Sequence, residues 1–239
     1  MESFSDIVAA DLLELMTIIQ HVQPKVGSPD SFVWWRHPNG FSVKASYEGL
    51  IASINHTTTL PTNVLDSLRS LWASKLPSKS LIFGWRILLD RLPTKTNLFR
   101  RGILGENVSL LCPFCLLEEE NSDHIFSSCL VSVRWWNQTC DWLRLKVSFP
   151  SNTVVEKLSF FEKLCKSSFR FCPGWLFGLA VCCAIWKCRN VIIFEGGDLS
   201  RIDGLGLIKH MSWEWFLFSC KLDCDVLWSD WFVSPTLIG

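Results

Sequence analysis

The sequence predicts a mainly α-helical protein. Apolar residues recur at helical spacing through most of the chain, whereas a strand-and-turn signal is confined to residues 32–43. The 239 residues are enough for one large domain or two small ones with an apolar core. Hydrophobic residues make up 49% of the chain and charged residues only 19%, which excludes a disordered chain and suggests surface that packs against another molecule.

The N-terminal third combines helices with the strand signal. Apolar residues at helical spacing, with acidic residues between them, predict an amphipathic helix over residues 6–20. In residues 32–43, Pro-Asn-Gly lies between two β-rich arms, and this pattern predicts a β-hairpin. A further helix is predicted over residues 42–53.

The rest of the chain is predicted to be helical in pieces. Between residues 64 and 101, Ser78 and Thr94 are predicted N-caps, and Gly102 follows a helix end. Further helices are predicted over residues 131–145, 153–166, 174–194 and 203–220. The composition changes at residues 148–153 (SFPSNT), so the predicted divisions are an N-terminal helix and tail (1–29), a domain over 30–147 and a helical region over 148–239.

Three cysteines and a histidine lie within residues 112–129. In a chain with 11 cysteines in 239 residues, roughly half a C-x2-C pair is expected by chance, so the Cys112–Cys115 pair alone is weak evidence. His124 and Cys129 complete a set of four ligands, and three thiolates with one imidazole favour zinc over magnesium or calcium. The set predicts one structural zinc ion; four unliganded side chains are the alternative.

Helix geometry adds a condition to this site. On a continuous α-helix, five residues at about 100° each would place Cys129 about 140° away from His124. Both side chains can reach one ion only if the helix that carries His124 ends near Ser127 and Ser128. Four protein ligands would also leave no open position for a catalytic water.

The other eight cysteines are predicted to be buried thiols. The acidic N-terminus lacks the features of a signal peptide, so we expect an intracellular protein without disulfides, in the nucleus or the cytoplasm. The apolar run over residues 171–186 is shorter than the about 20 residues that span a bilayer. A buried helix is the better interpretation, and no membrane partner is expected.

Basic residues are concentrated before the cysteine cluster, although the formal net charge of the chain is zero. Eight basic residues and a single acid, Asp90, lie between Arg69 and Arg101. This pattern predicts contact with RNA or DNA through Lys75, Lys79, Arg86, Arg91, Lys95, Arg100 and Arg101. The alternative is a solvated face, or pairing with Glu118, Glu119, Glu120 and Asp123.

These blocks, in this order, resemble the reverse transcriptase zinc-binding domain of plant non-LTR (LINE-type) retrotransposon polyproteins. The resemblance is carried by the stretches DSFVWWRHPNGFSVKASYEGL (30–50) and LWASKLPSKSLIFGWRILLDRLPTKTNLFRRGI (71–103), by the four Cys/His positions, and by Trp135. Residues 185–194 and 212–216 resemble the helical linker of those polyproteins. The resemblance implies a small zinc-stabilised helical domain with an N-terminal β-hairpin, followed by a helical C-terminal region.

The catalytic signatures of such polyproteins are missing from these 239 residues. There is no Tyr/Phe-x-Asp-Asp motif of a polymerase, and no phosphate-binding or dinucleotide fingerprint for a small-molecule substrate. We therefore expect a non-enzymatic zinc-binding protein of retrotransposon origin that contacts nucleic acid. The alternatives are a protein-interaction module that uses apolar helices within 174–220, or a retroelement remnant without a selected function.

Overall fold

The computed structural model describes residues 12–17, 20, 27, 41–53, 60–147, 149, 153–168, 174–220 and 227–235. The chain divides into two compact units, residues 1–58 and 59–239, and each is described here by itself. The described residues are mainly helical and include no β-strand. The predicted mainly α class is therefore confirmed.

In the first unit, residues 12–17 are helical and helix α1 spans Val43–Ser53. The remainder of the helix predicted over 6–20 lies mostly outside the described residues. The predicted β-hairpin is not supported: residues 31–40 lie outside the described part, and its second arm is not a strand. The hydroxyl of Ser42 accepts a hydrogen bond from the backbone N–H of Ala45 (3.1 Å), so this polar side chain caps α1 and favours a helix here.

The second unit contains the remaining helices. They are α2 (Thr62–Ala73), α3 (Ser78–Leu88), α4 (Lys95–Arg100), α5 (Leu130–Trp142), α6 (Val154–Ser168), α7 (Trp175–Glu195), α8 (Gly204–Ser219) and α9 (Trp228–Val233). A π-helical turn, His124–Ser128, precedes α5, and a 3-10 turn, Leu199–Arg201, precedes α8. The helices predicted after residue 130 are confirmed within three residues at each end. The short helix α9 was not predicted.

The helix caps explain two of the boundaries in this unit. The side chain of Thr94 accepts a hydrogen bond from the N–H of Asn97 (3.3 Å), which confirms Thr94 as the N-cap of α4. Gly102 has a φ of 69° just beyond the end of α4, as its position predicts. The predicted cap at Ser78 was wrong: Pro77 occupies the N-cap position, and Ser78 is the first helical residue.

Helix α7 forms the centre of the core. Its first eight residues, 175–182, are all buried, and Gly178 lets α6 approach closely, because a Cβ at this position would lie 3.1 Å from Leu158. In length and composition α7 could cross a membrane, but 61% of its most apolar window is buried inside the fold. This burial agrees with the buried helix that the sequence predicts.

The core includes helices from both sides of the predicted boundary at residue 148. Trp136 of α5 stacks edge-on against Phe161 of α6, with ring centroids 5.2 Å apart. Trp231 of α9 lies 5.6 Å from Phe177 of α7, and its backbone carbonyl accepts a hydrogen bond from the indole N–H of Trp142 (3.2 Å). Residues on both sides of position 148 thus pack into one core. The predicted domain boundary there stays a prediction.

Candidate metal centre

The loop over residues 110–120 folds back on itself and presents the first two cysteines. Cys112 donates its backbone N–H to the carbonyl of Glu118 (2.7 Å), and Glu120 donates to the carbonyl of Leu110 (2.8 Å). Between these bonds, the N–H of Leu116 reaches the carbonyl of Cys112 (2.9 Å) and closes a tight turn around the C-x2-C pair. The backbone thus fixes both thiols on one side of the loop.

The π-helical turn solves the angular problem between His124 and Cys129. The N–H of Cys129 donates to the carbonyl of His124 (2.8 Å), a five-residue step that is wider than an α-helical turn. Cys129 then leaves the helical conformation, with φ −58° and ψ 135°, and occupies the N-cap position of α5. The prediction that the helix must end near Ser127 and Ser128 is confirmed.

Helix α6 supports this turn from outside. The carboxylate of Asp123 accepts a hydrogen bond from the N–H of Val154 (2.8 Å), the first residue of α6. One turn later, the buried ammonium of Lys157 donates to the carbonyl of Ser127 (2.7 Å). Burial lowers the pKa of Lys157. The lysine therefore satisfies a carbonyl that the π-helical turn leaves without a helical partner.

The structure brings all four predicted ligands together. Their ligand atoms lie within 4.8 Å of one another. The Sγ atoms of Cys112 and Cys129 are 3.9 Å apart, and Sγ of Cys115 is 3.3 Å from Nε2 of His124. In a tetrahedral zinc site with Zn–S bonds of about 2.3 Å, neighbouring sulfurs lie about 3.8 Å apart. The donor set and its spacing therefore fit a zinc ion with little rearrangement.

Backbone N–H groups point at the sulfurs of Cys112 and Cys129, but the two thiols differ in pKa. The pKa of Cys129 is lowered, mainly because Cys112 donates its S–H to it and also because the N–H groups of Val131 and Ser132 point at its sulfur. The pKa of Cys112 is raised, chiefly because of that same hydrogen bond and its burial. Zinc binds deprotonated thiols, so a zinc ion at this site would displace the proton that Cys112 donates to Cys129.

The second nitrogen of His124 is held by Glu118. Nδ1 lies 3.2 Å from Oε2 of Glu118 and 3.4 Å from the hydroxyl of Ser128, while Nε2 faces the thiols. A carboxylate behind a ligating histidine fixes the ring orientation and its tautomer. The role of Glu118 was not predicted, because the two residues are brought together by the fold of the loop and follow no fixed sequence spacing.

A buried ion pair joins the loop to α7. Glu120 is fully buried, and its Oε1 accepts hydrogen bonds from Nε (3.0 Å) and Nη2 (2.8 Å) of Arg189. Burial raises the pKa of Glu120, and the charge of Arg189 opposes this rise. The carbonyl of Glu120 also accepts from the N–H (3.2 Å) and the hydroxyl (3.0 Å) of Thr96. Glu120 therefore anchors the cysteine loop to α4 and α7.

The predicted basic residues lie on α3, on α4 and on the loops beside them. Six are exposed, namely Lys75, Lys79, Arg86, Arg91, Arg100 and Arg101, and Lys95 is half-buried. Arg100 lies 3.7 Å from Asp90, and Lys95 donates to the carbonyl of Leu111 (2.7 Å). Within the described residues, none of the seven forms an ion pair with the acids at 118, 119, 120 or 123.

The cysteines outside the cluster have a different environment. Cys140, Cys165, Cys182 and Cys188 are buried, and Cys183 and Cys220 are partly buried. Burial raises the pKa of Cys140 and of Cys183 to about 12. The prediction of buried thiols therefore holds for Cys140, Cys165, Cys182 and Cys188, whereas Cys183 and Cys220 are partly exposed. Residues 172 and 224 lie outside the described part of the chain.

The fold and this site define a helical protein with a Cys3His cluster suited to zinc. Residues 41–136 match the family described as zinc-binding in reverse transcriptase. The resemblance to a reverse transcriptase zinc-binding domain, predicted from the sequence, is therefore confirmed over this segment. No curated protein and no solved structure matches the chain. The match includes all four cluster residues and ends at Trp136.

Proposed function

We propose that Cys112, Cys115, His124 and Cys129 bind one zinc ion whose role is structural. The proposal is carried by the mutual approach of four ligand atoms within 4.8 Å in a segment that matches a zinc-binding family. Cys112, His124 and Cys129 are buried, and four ligands fill a tetrahedral shell without an open position. A bound zinc ion would supply folding free energy to a loop in which Leu111, Leu116 and Leu117 are exposed and contribute little to the core.

We also propose that the protein is non-catalytic and that it derives from a plant LINE-type retrotransposon polyprotein. A zinc ion with three thiolates carries a net charge of −1 and is a poor Lewis acid, which supports a structural role. The origin is supported by the family match over residues 41–136 and by the linker-like stretches further along the chain.

Zinc analysis tests the first part. Elemental mass spectrometry of the purified protein should give one zinc per chain, and Cys112→Ser should lose it. Cys220→Ala is the matched control, because Cys220 ends α8 far from the cluster in sequence and is not among its four ligands. A stoichiometry well below one, or equal zinc content in Cys112→Ser and its parent, would refute the site.

We further propose that the basic segment over residues 69–101 contacts nucleic acid. The support is electrostatic, because most cations of this segment form no ion pair within the described residues. Arg69 and Arg100 are the exceptions, since they lie beside Asp66 and Asp90. Phosphate backbones attract such uncompensated cations. The competing proposal, a protein-docking role for helices within 174–220, has less support, since most of α7 is buried in its own core.

A salt titration tests this second part. Binding of RNA or DNA should weaken steeply as salt concentration rises, because each cation that contacts a phosphate releases a counterion. The triple variant Arg86→Ala, Arg91→Ala and Arg100→Ala should bind more weakly and with a smaller salt slope. Salt-independent self-association without any affinity for nucleic acid would instead favour the protein-docking role.

A further inference from the structure

An apolar groove lies between three helices, and none of the four cluster residues lines it. It has a volume of about 350 Å³ and is formed by α3, α7 and α8. Aromatic rings supply much of its wall: Phe83 from α3, Trp186 from α7 and Trp215 from α8. All three rings are only partly buried, so they present surface to whatever enters. Ligand pockets of this size are usually apolar with a few polar groups at defined positions.

Two cations stand beside this groove. Lys79 of α3 and Lys187 of α7 contribute to its lining and are exposed. Within the part of the chain that the structure describes, neither lysine forms an ion pair. The acid that lines the groove, Glu214, has its own neighbour, since its Oε1 lies 3.5 Å from Nε2 of His210. The charge of the groove therefore favours an anionic ligand.

One wall of the groove is fixed from the metal-centre side. The guanidinium of Arg189 lies 4.7 Å from the centroid of the Trp186 ring, and Phe126 packs against the same ring at 6.0 Å. Arg189 is itself held by its two hydrogen bonds to Glu120. The indole of Trp186 is thus positioned before any ligand arrives, which reduces the entropy lost on binding.

We propose that this groove binds one unpaired nucleotide of a single-stranded nucleic acid. Its base stacks against the Trp186 and Trp215 indoles, and its phosphate lies on Lys79 and Lys187. Every base has a π-face, so aromatic walls accept a base without reading its sequence, and lysines track the backbone. A duplex does not fit this role, because its bases are stacked and paired inside the helix. The inference rests on the proposed contact with nucleic acid and names its single-stranded form.

The two lysines and the aromatic walls of the groove together indicate which ligand fits it. An aromatic side chain of a protein partner would use the rings but would leave two lysines without a counter-charge. A free phosphate would use the lysines but leave the aromatic walls exposed to water. A nucleotide in a single strand satisfies both sets of groups.

Fluorescence anisotropy on the full, zinc-loaded chain tests the proposal. The probe is a labelled oligothymidylate of about 12 nucleotides, compared with a duplex of the same length. We expect the single strand to bind more tightly than the duplex. Trp215→Leu should weaken its binding about 10-fold, because loss of one stacked base typically costs about that factor. Trp228→Leu is the matched control, since Trp228 lies on α9 outside the groove.

Lys187→Gln provides a second test that does not depend on the core. Lys187 is exposed and lies outside the 69–101 segment, so this variant should fold normally. It should reduce the slope of log affinity against log salt by about 0.7, the value for one phosphate contact with a single strand. Lys146→Gln, at another exposed lysine, should leave the slope unchanged.

The outcomes separate this inference from the function on which it rests. If the oligothymidylate binds and the Arg86, Arg91 and Arg100 variants weaken it, but Trp215→Leu and Lys187→Gln do not, the groove proposal is overturned alone. Preference for the duplex would overturn it as well. If neither single strand nor duplex binds, the groove and the proposed nucleic-acid contact both fail.

Discussion

Arg189 directs two N–H groups at a single oxygen of Glu120, with Nε at 3.0 Å and Nη2 at 2.8 Å from Oε1. The arginine side chain is 4% exposed and the glutamate 0%. These two residues come from parts of the sequence 69 positions apart, the cysteine loop and the central helix α7. The pair therefore fixes the loop that carries the metal-centre residues to the core of the unit.

Breaking this pair should destabilise the protein strongly. Arg189→Leu leaves the Glu120 carboxylate buried without its counter-charge, and such changes typically cost about 3–5 kcal/mol. Urea unfolding monitored by circular dichroism measures the loss. Arg69→Leu is the control, because Arg69 also pairs with an acid, Asp66, but both side chains are largely exposed. Its effect should stay within about 0.5 kcal/mol.

A double variant distinguishes the cost of an orphaned charge from a general packing defect. Replacing both partners, as in Glu120→Leu with Arg189→Leu, removes the buried charge altogether. Apolar replacements of buried ion pairs are often neutral or stabilising, so the double variant should be more stable than Arg189→Leu alone. If the double variant loses as much stability as Arg189→Leu and Glu120→Leu lose together, this account of the pair is wrong.

The loss in Arg189→Leu should also depend on pH. Burial raises the pKa of Glu120, and removing Arg189 removes the charge that opposes this rise. A carboxyl whose pKa is higher in the folded than in the unfolded state retains stability below its unfolded pKa and loses it as pH rises. The deficit relative to the parent protein should therefore be smaller at about pH 5 than at about pH 8. Both proteins are measured with the same excess of a zinc chelator at each pH, so that metal release does not contribute to the difference. A deficit that stays constant with pH would refute the prediction.

Glu118 should contribute to metal affinity without being a ligand. Its carboxylate lies 3.2 Å from Nδ1 of His124 and orients the ring so that Nε2 faces the cysteines. Glu118→Ala should weaken zinc binding about 10-fold, the lower end of the range for such supporting groups, because Glu118 is exposed to solvent. Competition with a chromophoric chelator measures this affinity.

Glu119→Ala is the matched control for that experiment. It removes the same charge from the adjacent, exposed position. If Glu119→Ala weakens zinc binding as much as Glu118→Ala does, the effect of Glu118 is a general charge effect, and its role in orienting His124 is wrong.

The sequence was sufficient for the four cluster residues but not for the groups that support them. Cys112 and Cys115 are close in sequence, so their pairing is a local feature. Helix geometry predicted where the turn after His124 must end for Cys129 to reach the same ion. Glu118, Lys157 and Arg189 were missed because their contacts depend on tertiary packing. Lys157, for example, reaches the carbonyl of Ser127 from a different helix, 30 residues away. Periodicity carries no information about such pairs.

The fold likewise divides into elements that a local sequence pattern predicts and elements that depend on tertiary packing. The long helices α7 and α8 were predicted because many apolar residues repeat at helical spacing. Helix α9 has only six residues, too few for a periodic signal, and it is held in place by the burial of Trp231 against Phe177. The expected strand arm at Phe41 to Val43 failed because Ser42 caps a helix that begins there, so a local cap outweighed β-propensity.

Gly204 lies against the indole of Trp135, and a larger side chain at this position would displace that ring. A Cβ added there would clash with Cε2 and Cζ2 of the Trp135 indole, which would have to shift. Trp135 is 5% exposed, and its ring lies 6.2 Å from that of Phe114, inside the C-x2-C turn. Any displacement of this indole is therefore passed towards the cysteine loop.

Gly204→Ala should accordingly lower the free energy of unfolding by about 1–3 kcal/mol, the usual cost of overpacking a core. It should also speed the loss of zinc to a chelator, because a shifted Trp135 presses on Phe114 between Cys112 and Cys115. Gly105→Ala is the control: a Cβ at Gly105 meets no atom within 4 Å, so neither quantity should change. If Gly204→Ala lowers stability but leaves zinc release at the parent rate, then Trp135 does not transmit the displacement to the loop.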